Sequence, residues 1–183
     1  MKNAVRPGYL LLCCLLLMAF AVRPALAEGP TIGSLKVAYI YNIAKFTRWP
    51  DVTWARPTEP LHLCFYDPDG ADSELQGLQK KKVNGHPIEV LKPEKEGDFK
   101  QCHVLYIDTK ERHRYRYLLS LIDQQRVLVI SDDSPFFDYG GLINLVEKEQ
   151  RLRFEVNMQQ LALSELKLSS KLLKLAILID NPR

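Results

Sequence analysis

The sequence lacks the short motifs by which most enzymes are recognised. It contains no glycine-rich phosphate loop, no G-x-S-x-G nucleophile turn and no helix with paired zinc-binding histidines. Its four histidines are scattered along the chain without the spacing of a metal site. The usual catalytic signatures are therefore absent, and we predict no cofactor and no physiological metal.

Long hydrophobic runs are also missing after the first residues of the chain. The first 27 residues begin with a short basic region, Lys2 and Arg6, followed by an apolar stretch at residues 9–22 and alanines at positions 25 and 27, which is typical of a cleaved signal peptide. We expect cleavage before Glu28 and a soluble periplasmic protein, because no later segment approaches the roughly 20 apolar residues that span a bilayer. Arg23 interrupts the apolar stretch late, so an uncleaved anchor remains the alternative.

An excess of charge of one sign is absent from the predicted mature protein. The chain has 25 basic and 22 acidic residues, a formal net charge of +3, and three basic residues lie in the predicted signal peptide. Subtracting 27 from 183 leaves 156 residues, 28–183, which are formally neutral and suit one domain. Export argues against nucleic acid as a partner, so we interpret the three arginines of residues 112–116 as a solvated helix face, with contact to an acidic partner as the alternative.

Cysteine is scarce in the predicted mature chain, where only Cys64 and Cys102 occur. In an oxidising compartment, two cysteines most simply form one disulfide. Such a bridge closes a loop of about 39 residues and contributes about 4 kcal/mol on the chain-entropy model. Two separate buried thiols are the alternative, and the spacing lacks the short steps of a zinc site.

The order of helical and strand-like segments predicts the fold class. A largely apolar helical pattern spans residues 32–49 with only a narrow polar stripe, so this helix must be covered on most sides by its own domain or by another chain. Short buried strands then alternate with helices, which indicates a layered α/β fold with a mostly parallel central sheet. The predicted strands are residues 61–66, 87–91, 102–108 and 127–131, and the predicted helices are residues 73–79 and 112–124.

The last third of the chain follows a different pattern. Residues 142–147 and 151–156 predict an antiparallel C-terminal hairpin, the second strand of which alternates apolar and charged side chains. Two terminal helices are predicted at residues 158–164 and 169–179.

Two short polar or glycine-containing segments are candidate ligand sites. Asp132 and Asp133 follow a predicted buried strand, at the edge where open α/β sheets bind ligands, and a solvated turn is the alternative. Gly140 and Gly141 permit unusual backbone angles before the hairpin, but a lone pair of glycines does not make a phosphate site.

Four segments of the chain together resemble a known family. They are KVAYIYNIAKFTRWP at residues 36–50, GGLINL at 140–145, RFEVN at 153–157 and LKLSSKLLKLA at 166–176. In this order the segments are similar to the YfiR family of periplasmic proteins, and the similarity covers essentially the whole predicted mature chain.

The resemblance implies a Rossmann-like α/β domain, a homodimer and one disulfide at the positions of Cys64 and Cys102. It also implies a negative regulator without catalytic activity. Similar proteins bind the periplasmic domain of YfiN, an inner-membrane diguanylate cyclase, and hold its cytoplasmic domains inactive, which lowers cyclic di-GMP and biofilm formation. An outer-membrane lipoprotein, YfiB, relieves this block by sequestering the repressor.

The C-terminal segment contains more leucines than one buried helix face can use. We therefore predict that the contact surface for the cyclase lies around Leu161, Glu165, Leu166, Leu168 and Leu172. Internal packing of all these leucines is the alternative. A function of another class, a periplasmic sensor that binds a small molecule near Asp132, is the second hypothesis.

Overall fold

A mixed β-sheet with helices on both faces is the framework of the protein. The computed structural model describes residues 31–66, 75–108 and 112–180. The predicted signal peptide and the start of the predicted helix at 73–79 lie outside these ranges. The described strands are β1 (Thr47–Arg48), β2 (Leu61–Tyr66), β3 (Lys82–Val83), β4 (His86–Leu91), β5 (Val104–Ile107), β6 (Leu128–Ser131), β7 (Ile143–Lys148), β8 (Arg151–Asn157), β9 (Lys167–Leu168) and β10 (Ile177–Ile179). The described α-helices are α1 (Ile32–Lys45), α2 (Glu96–Phe99), α3 (Arg114–Ser120), α4 (Met158–Leu163) and α5 (Ser170–Leu173).

Eight of the described strands form one sheet in the order β10-β8-β7-β6-β5-β2-β4-β3. Its neighbouring strands run parallel except for the antiparallel pairs β7–β8 and β3–β4. The predicted α/β class, the mostly parallel sheet and the antiparallel hairpin are therefore confirmed. The turn of the β7–β8 hairpin consists of Glu149 and Gln150, whose φ angles of 53° and 58° are the left-handed values that a tight hairpin turn uses.

The parallel strands divide the core into two clusters, one on each face of the sheet. On β5, Val104 and Tyr106 join the cluster that includes α1, whereas Leu105 and Ile107 join the cluster that includes α3. All four side chains are at most 4% exposed. Because helices cover both faces, β5 has no polar side and is a continuous apolar run in the sequence.

Helix α1 ends four residues earlier than predicted, and the chain continues as strand β1. Thr31 caps the start of the helix by accepting a hydrogen bond from Ser34 N. At the other end, the buried Thr47 hydroxyl donates a 2.8 Å hydrogen bond to Ile43 O, and Thr47 pairs with Leu168 of β9. The predicted helix is wrong beyond residue 45, because the backbone there pairs with a distant strand instead of continuing the helix.

The predicted helix at residues 169–179 is wrong in its second half. Helix α5 covers only Ser170–Leu173, and Ile177–Ile179 forms β10, which pairs in parallel with Glu155–Asn157 of β8. The Ile-Leu-Ile sequence of β10 suits a strand, but the leucine spacing of the whole segment also fits a helix. The non-local partner, β8, decides between these two possibilities.

The two glycines before the hairpin have structural roles. Gly140 has a φ of 91°, a left-handed value with which it ends the 3-10 helix Ser134–Tyr139. A side chain at Gly141 would lie 2.2 Å from the ring of the buried Phe136. Asn157, which is 3% exposed, donates a hydrogen bond to Gly141 O and also caps helix α4. The hydrogen bond from Asn157 to Gly141 O thus joins the RFEVN segment to the GGLINL segment, whose glycines are required by backbone geometry at Gly140 and by close packing at Gly141.

Cys64 of β2 and Cys102, which precedes β5, form a disulfide with their Cα atoms 5.7 Å apart. Both residues are at most 3% exposed and lie in the cluster on the α3 side of the sheet. The predicted bridge is therefore confirmed. It joins two neighbouring strands across a sequence separation of 38 residues, a connection that includes β3, β4 and α2.

Replacing Cys64 and Cys102 by alanine should lower the free energy of unfolding by about 4 kcal/mol, because the unfolded chain is then no longer constrained by the loop. Urea denaturation of the purified protein measures this difference. The wild-type protein in the presence of a reductant is the matched control. Its free energy of unfolding should approach that of the variant. A variant that unfolds at the same urea concentration as the oxidised wild type would contradict the prediction.

Candidate functional site

The structure buries three of the five residues predicted to contact a partner. Leu166, Leu168 and Leu172 are 4%, 9% and 4% exposed and belong to the core cluster on the α1 side of the sheet. Leu161 is partly buried and packs against the same cluster. Side chains with so little accessible surface contribute almost nothing to a contact surface, so internal packing accounts for the three buried leucines.

Glu165, the remaining predicted contact residue, is exposed but has an internal partner. Arg126 donates two hydrogen bonds to its carboxylate, from Nε at 3.0 Å and from Nη2 at 3.2 Å. The hydrogen bond from Arg126 lowers the pKa of Glu165. In addition, Glu165 N donates to Gln125 O at 2.8 Å. These bonds tie the segment after α4 to the segment before β6.

The two aspartates after β6 are paired with cations of the same chain. The Asp132 carboxylate contacts the ammonium group of Lys36 on α1. Asp133 accepts hydrogen bonds from Arg112 at 3.2 and 3.3 Å and from the Tyr115 hydroxyl at 3.4 Å. Burial raises the pKa of Tyr115 to about 12, so this hydroxyl remains a donor. The suggested ligand site at Asp132 and Asp133 stays a prediction, and both carboxylates already have partners within the chain.

An apolar groove with a volume of about 560 Å³ lies between the end of α1, strand β8 and the segment around α5. Ile43, Phe154 and Leu172 form its floor and are at most 5% exposed. Phe46 and Leu175 form its walls and are 40% and 66% exposed. We call this site the α1–α5 groove. A mostly apolar cavity bordered by exposed large apolar side chains is typical of a site that binds another protein or a ligand.

Two sets of contacts hold the α1–α5 groove in shape. Tyr39 packs edge-on against Phe154 with ring centres 6.3 Å apart, and the Tyr39 hydroxyl donates a hydrogen bond to Leu152 O. Strand β1 pairs with β9, and Ser169 N donates a 2.9 Å hydrogen bond to Phe46 O. The backbone of Phe46 is therefore fixed, while its side chain remains accessible.

The sequence prediction included only Leu172 among the groove residues and missed Phe46, Arg153, Lys174 and Leu175. A partial signal was present in α1, whose narrow polar stripe predicted a helix that needs cover on most sides. The remainder of the domain covers most of that apolar surface and leaves Phe46 exposed. Which side chain stays exposed depends on where β9 and α5 pack, and local periodicity does not determine that position.

Three histidines that lie far apart in the sequence meet at the amino ends of the neighbouring strands β4, β2 and β5. Trp54 stacks between His86 and His103, with ring centres 3.8 and 4.7 Å away. His62 N donates a 3.0 Å hydrogen bond to His103 Nδ1. Burial, together with the nearby His62, lowers the pKa of His103 to about 4. Among the described residues, no group of histidine, cysteine or carboxylate side chains could hold a metal ion.

A family model described as YfiR/HmsC-like matches residues 33–177, which run from α1 to the first residue of β10. The chain belongs to the YfiR/HmsC-like family. The resemblance found in four sequence segments is therefore confirmed. No match was found among curated proteins.

Membership in the YfiR/HmsC-like family indicates a periplasmic regulator of cyclic di-GMP signalling, and this family is regulatory and non-catalytic. The disulfide fits the oxidising periplasm. None of the helices within the described ranges has the length and apolarity needed to span a bilayer.

Lowering the pH should destabilise this YfiR/HmsC-like protein through His103. The pKa of His103 is about 4 in the folded protein and 6.5 ordinarily, so the unfolded chain binds protons more readily. The contribution of His103 to stability is therefore constant above pH 6.5 and becomes unfavourable as the pH falls from 6.5 toward 4.

Between about pH 7.5 and about pH 5, the melting temperature of the wild type should fall more than that of a His103→Gln variant, which cannot be protonated. Thermal unfolding followed by circular dichroism at both pH values measures the difference. Equal decreases for the two proteins would show that His103 does not couple folding to protonation.

Proposed function

We propose that this protein is a non-catalytic periplasmic repressor of an inner-membrane diguanylate cyclase of the YfiN type. It binds the periplasmic domain of the cyclase, reduces the synthesis of cyclic di-GMP and thereby limits biofilm formation. The family match over residues 33–177 is the observation that carries the proposal. The exposed apolar walls of the α1–α5 groove support it, because a protein that acts by binding needs an accessible contact surface.

The mechanism of repression is a shift of an equilibrium between two states of the cyclase. A bound repressor stabilises the inactive state only to the extent that it binds this state more tightly than the active one. To move an evenly populated equilibrium to about 99:1, the difference in affinity must be about 100-fold, or about 3 kcal/mol. Burying one or two large apolar side chains on only one of the two states supplies a free energy of this size.

The contact surface in this proposal is the α1–α5 groove together with two exposed leucines of the C-terminal segment. Phe46 and Leu175 border the groove, and Leu163 and Leu178 are 69% and 48% exposed in the same C-terminal part of the chain. These side chains replace the buried leucines of the sequence-based hypothesis as contact residues. Leu161 and Glu165 remain candidate contacts at the margin of the surface.

The remaining parts of the proposal rest on the pattern of the first 27 residues and on the family. Residues 1–27 are removed as a signal peptide on export, and residues 28–183 act as one YfiR-like domain, which forms a homodimer. An outer-membrane lipoprotein of the YfiB type sequesters the repressor and so releases the cyclase. The single disulfide fits this location, because bridges persist in the periplasm.

A Phe46→Ser/Leu175→Ser variant should bind the periplasmic domain of the cyclase at least about tenfold more weakly than the wild type, because it loses two exposed apolar contacts. Its stability should change little, since both side chains are exposed. Isothermal titration calorimetry with the purified periplasmic domain measures the affinity, and thermal unfolding confirms that the variant is folded.

The matched control is Val52→Ser, which removes an apolar side chain that is 73% exposed and does not line the groove. It should bind the cyclase domain as the wild type does. If the groove variant keeps full affinity while remaining folded, the groove is not the contact surface. If the wild type itself does not bind the domain, the proposed function is incorrect.

A further inference from the structure

We propose that the α1–α5 groove accepts an acidic amphipathic segment of the partner protein, in which an apolar anchor side chain is flanked by carboxylates. The inference rests on the proposed function for the identity of the partner and deepens it by specifying the chemistry of the segment that binds. It is based on the shape of the groove and on the charge of its rim.

The charged residues that line the groove are all cationic. Arg153 of β8 and Lys174, which follows α5, line it and are exposed, and none of the aspartates and glutamates in the described ranges lines it. Neither cation forms an ion pair with a carboxylate within the described ranges. The rim of the groove therefore offers two positive charges that no carboxylate of the described residues neutralises.

Two exposed cations outside the groove do form ion pairs within the chain. Arg126 pairs with Glu165 at 3.0 Å, and Lys148 pairs with Glu155 at 3.2 Å. Glu155 is two residues from Arg153 on β8, yet its carboxylate bonds to Lys148 and not to Arg153. The absence of an internal carboxylate partner thus distinguishes the cations of the groove rim from these cations outside it.

The shape of the groove fits a side chain presented by a macromolecule. The floor of Ile43, Phe154 and Leu172 is buried and can receive one or two large apolar side chains. The walls, Phe46 and Leu175, project into solvent beyond this floor. An amphipathic segment buries its apolar face in such a groove while its polar flanks remain at the rim.

The charges and the apolar floor have separable effects on binding. Apolar contact at the floor supplies affinity, whereas exposed charges at the rim mainly accelerate association and select the sign of the partner's charge. Interactions between exposed charges are screened by salt over a Debye length of about 10 Å at 0.1 M ionic strength. Binding that uses the rim cations should therefore weaken as salt is added.

The first test uses two fluorescein-labelled helical peptides that share a leucine face. One peptide carries glutamate beside the leucines, and the other carries lysine at the same positions. Fluorescence anisotropy with the wild-type protein should show binding of the glutamate peptide at least about tenfold tighter than that of the lysine peptide, and the difference should shrink in high salt. Equal affinity for the two peptides would overturn the proposal.

The second test reverses the rim charges in an Arg153→Glu/Lys174→Glu variant. The matched control, Lys80→Glu/Lys82→Glu, makes the same change in net charge at β3, the opposite edge of the sheet from β10. The rim variant should reverse the peptide preference, whereas the control should retain it. Retention of the preference by the folded rim variant would contradict the assignment of Arg153 and Lys174.

Binding of the cyclase's periplasmic domain to the same variants separates this inference from the proposed function. If the wild type and the rim variant bind the domain equally well, the protein is a cyclase-binding protein whose groove does not select carboxylates. If neither binds the domain while the peptide preference is present, the groove has the stated chemistry but the partner is another protein. A concentration-dependent dimer that the rim variant loses would show that the groove binds a second copy of this chain, and would overturn the proposal.

Discussion

The pairing of β1 with β9 is the constraint on which the candidate site depends. Only two residue pairs form it, Thr47 with Leu168 and Arg48 with Lys167, and the adjoining hydrogen bond from Ser169 N to Phe46 O extends it. Through these few bonds the end of α1 is held against the C-terminal segment, which is distant in the sequence. Buried core residues form the floor of the α1–α5 groove. Its walls belong to the end of α1 and to the C-terminal segment, which the β1–β9 pair holds together, so the groove depends on this pair.

The same arrangement explains the composition of the C-terminal segment. Leu166, Leu168 and Leu172 are leucine because they complete the core on the α1 side of the sheet. Leu175 and Leu178 serve no comparable purpose inside the domain, since they are 66% and 48% exposed. An excess of apolar residues therefore remains after the core is filled, and it is this excess that we propose as the contact surface.

Local patterns predicted the fold class, the strands β2 and β4 to β8, the hairpin and the disulfide, because each depends on strand periodicity or on the count of cysteines. The two-residue strands β3 and β9 were not predicted. Local patterns failed at Thr47 and at residues 177–179, where pairing with a distant strand overrides a helical pattern. The sequence also indicated that α1 needs extensive cover, but not that Phe46 is the side chain left exposed. The gathering of His62, His86 and His103 beside Trp54 was equally hidden, because it depends on the order of β4, β2 and β5 in the sheet.

The central claim is that the protein restrains a cyclase by contact through the α1–α5 groove. Its most direct test is the cellular concentration of cyclic di-GMP, measured by mass spectrometry in a strain that expresses the cyclase together with this protein or with the Phe46→Ser/Leu175→Ser variant. We expect the wild-type protein to lower cyclic di-GMP and the folded, exported variant to leave it high. An unchanged concentration with the wild type, or equal repression by the variant, would contradict the claim.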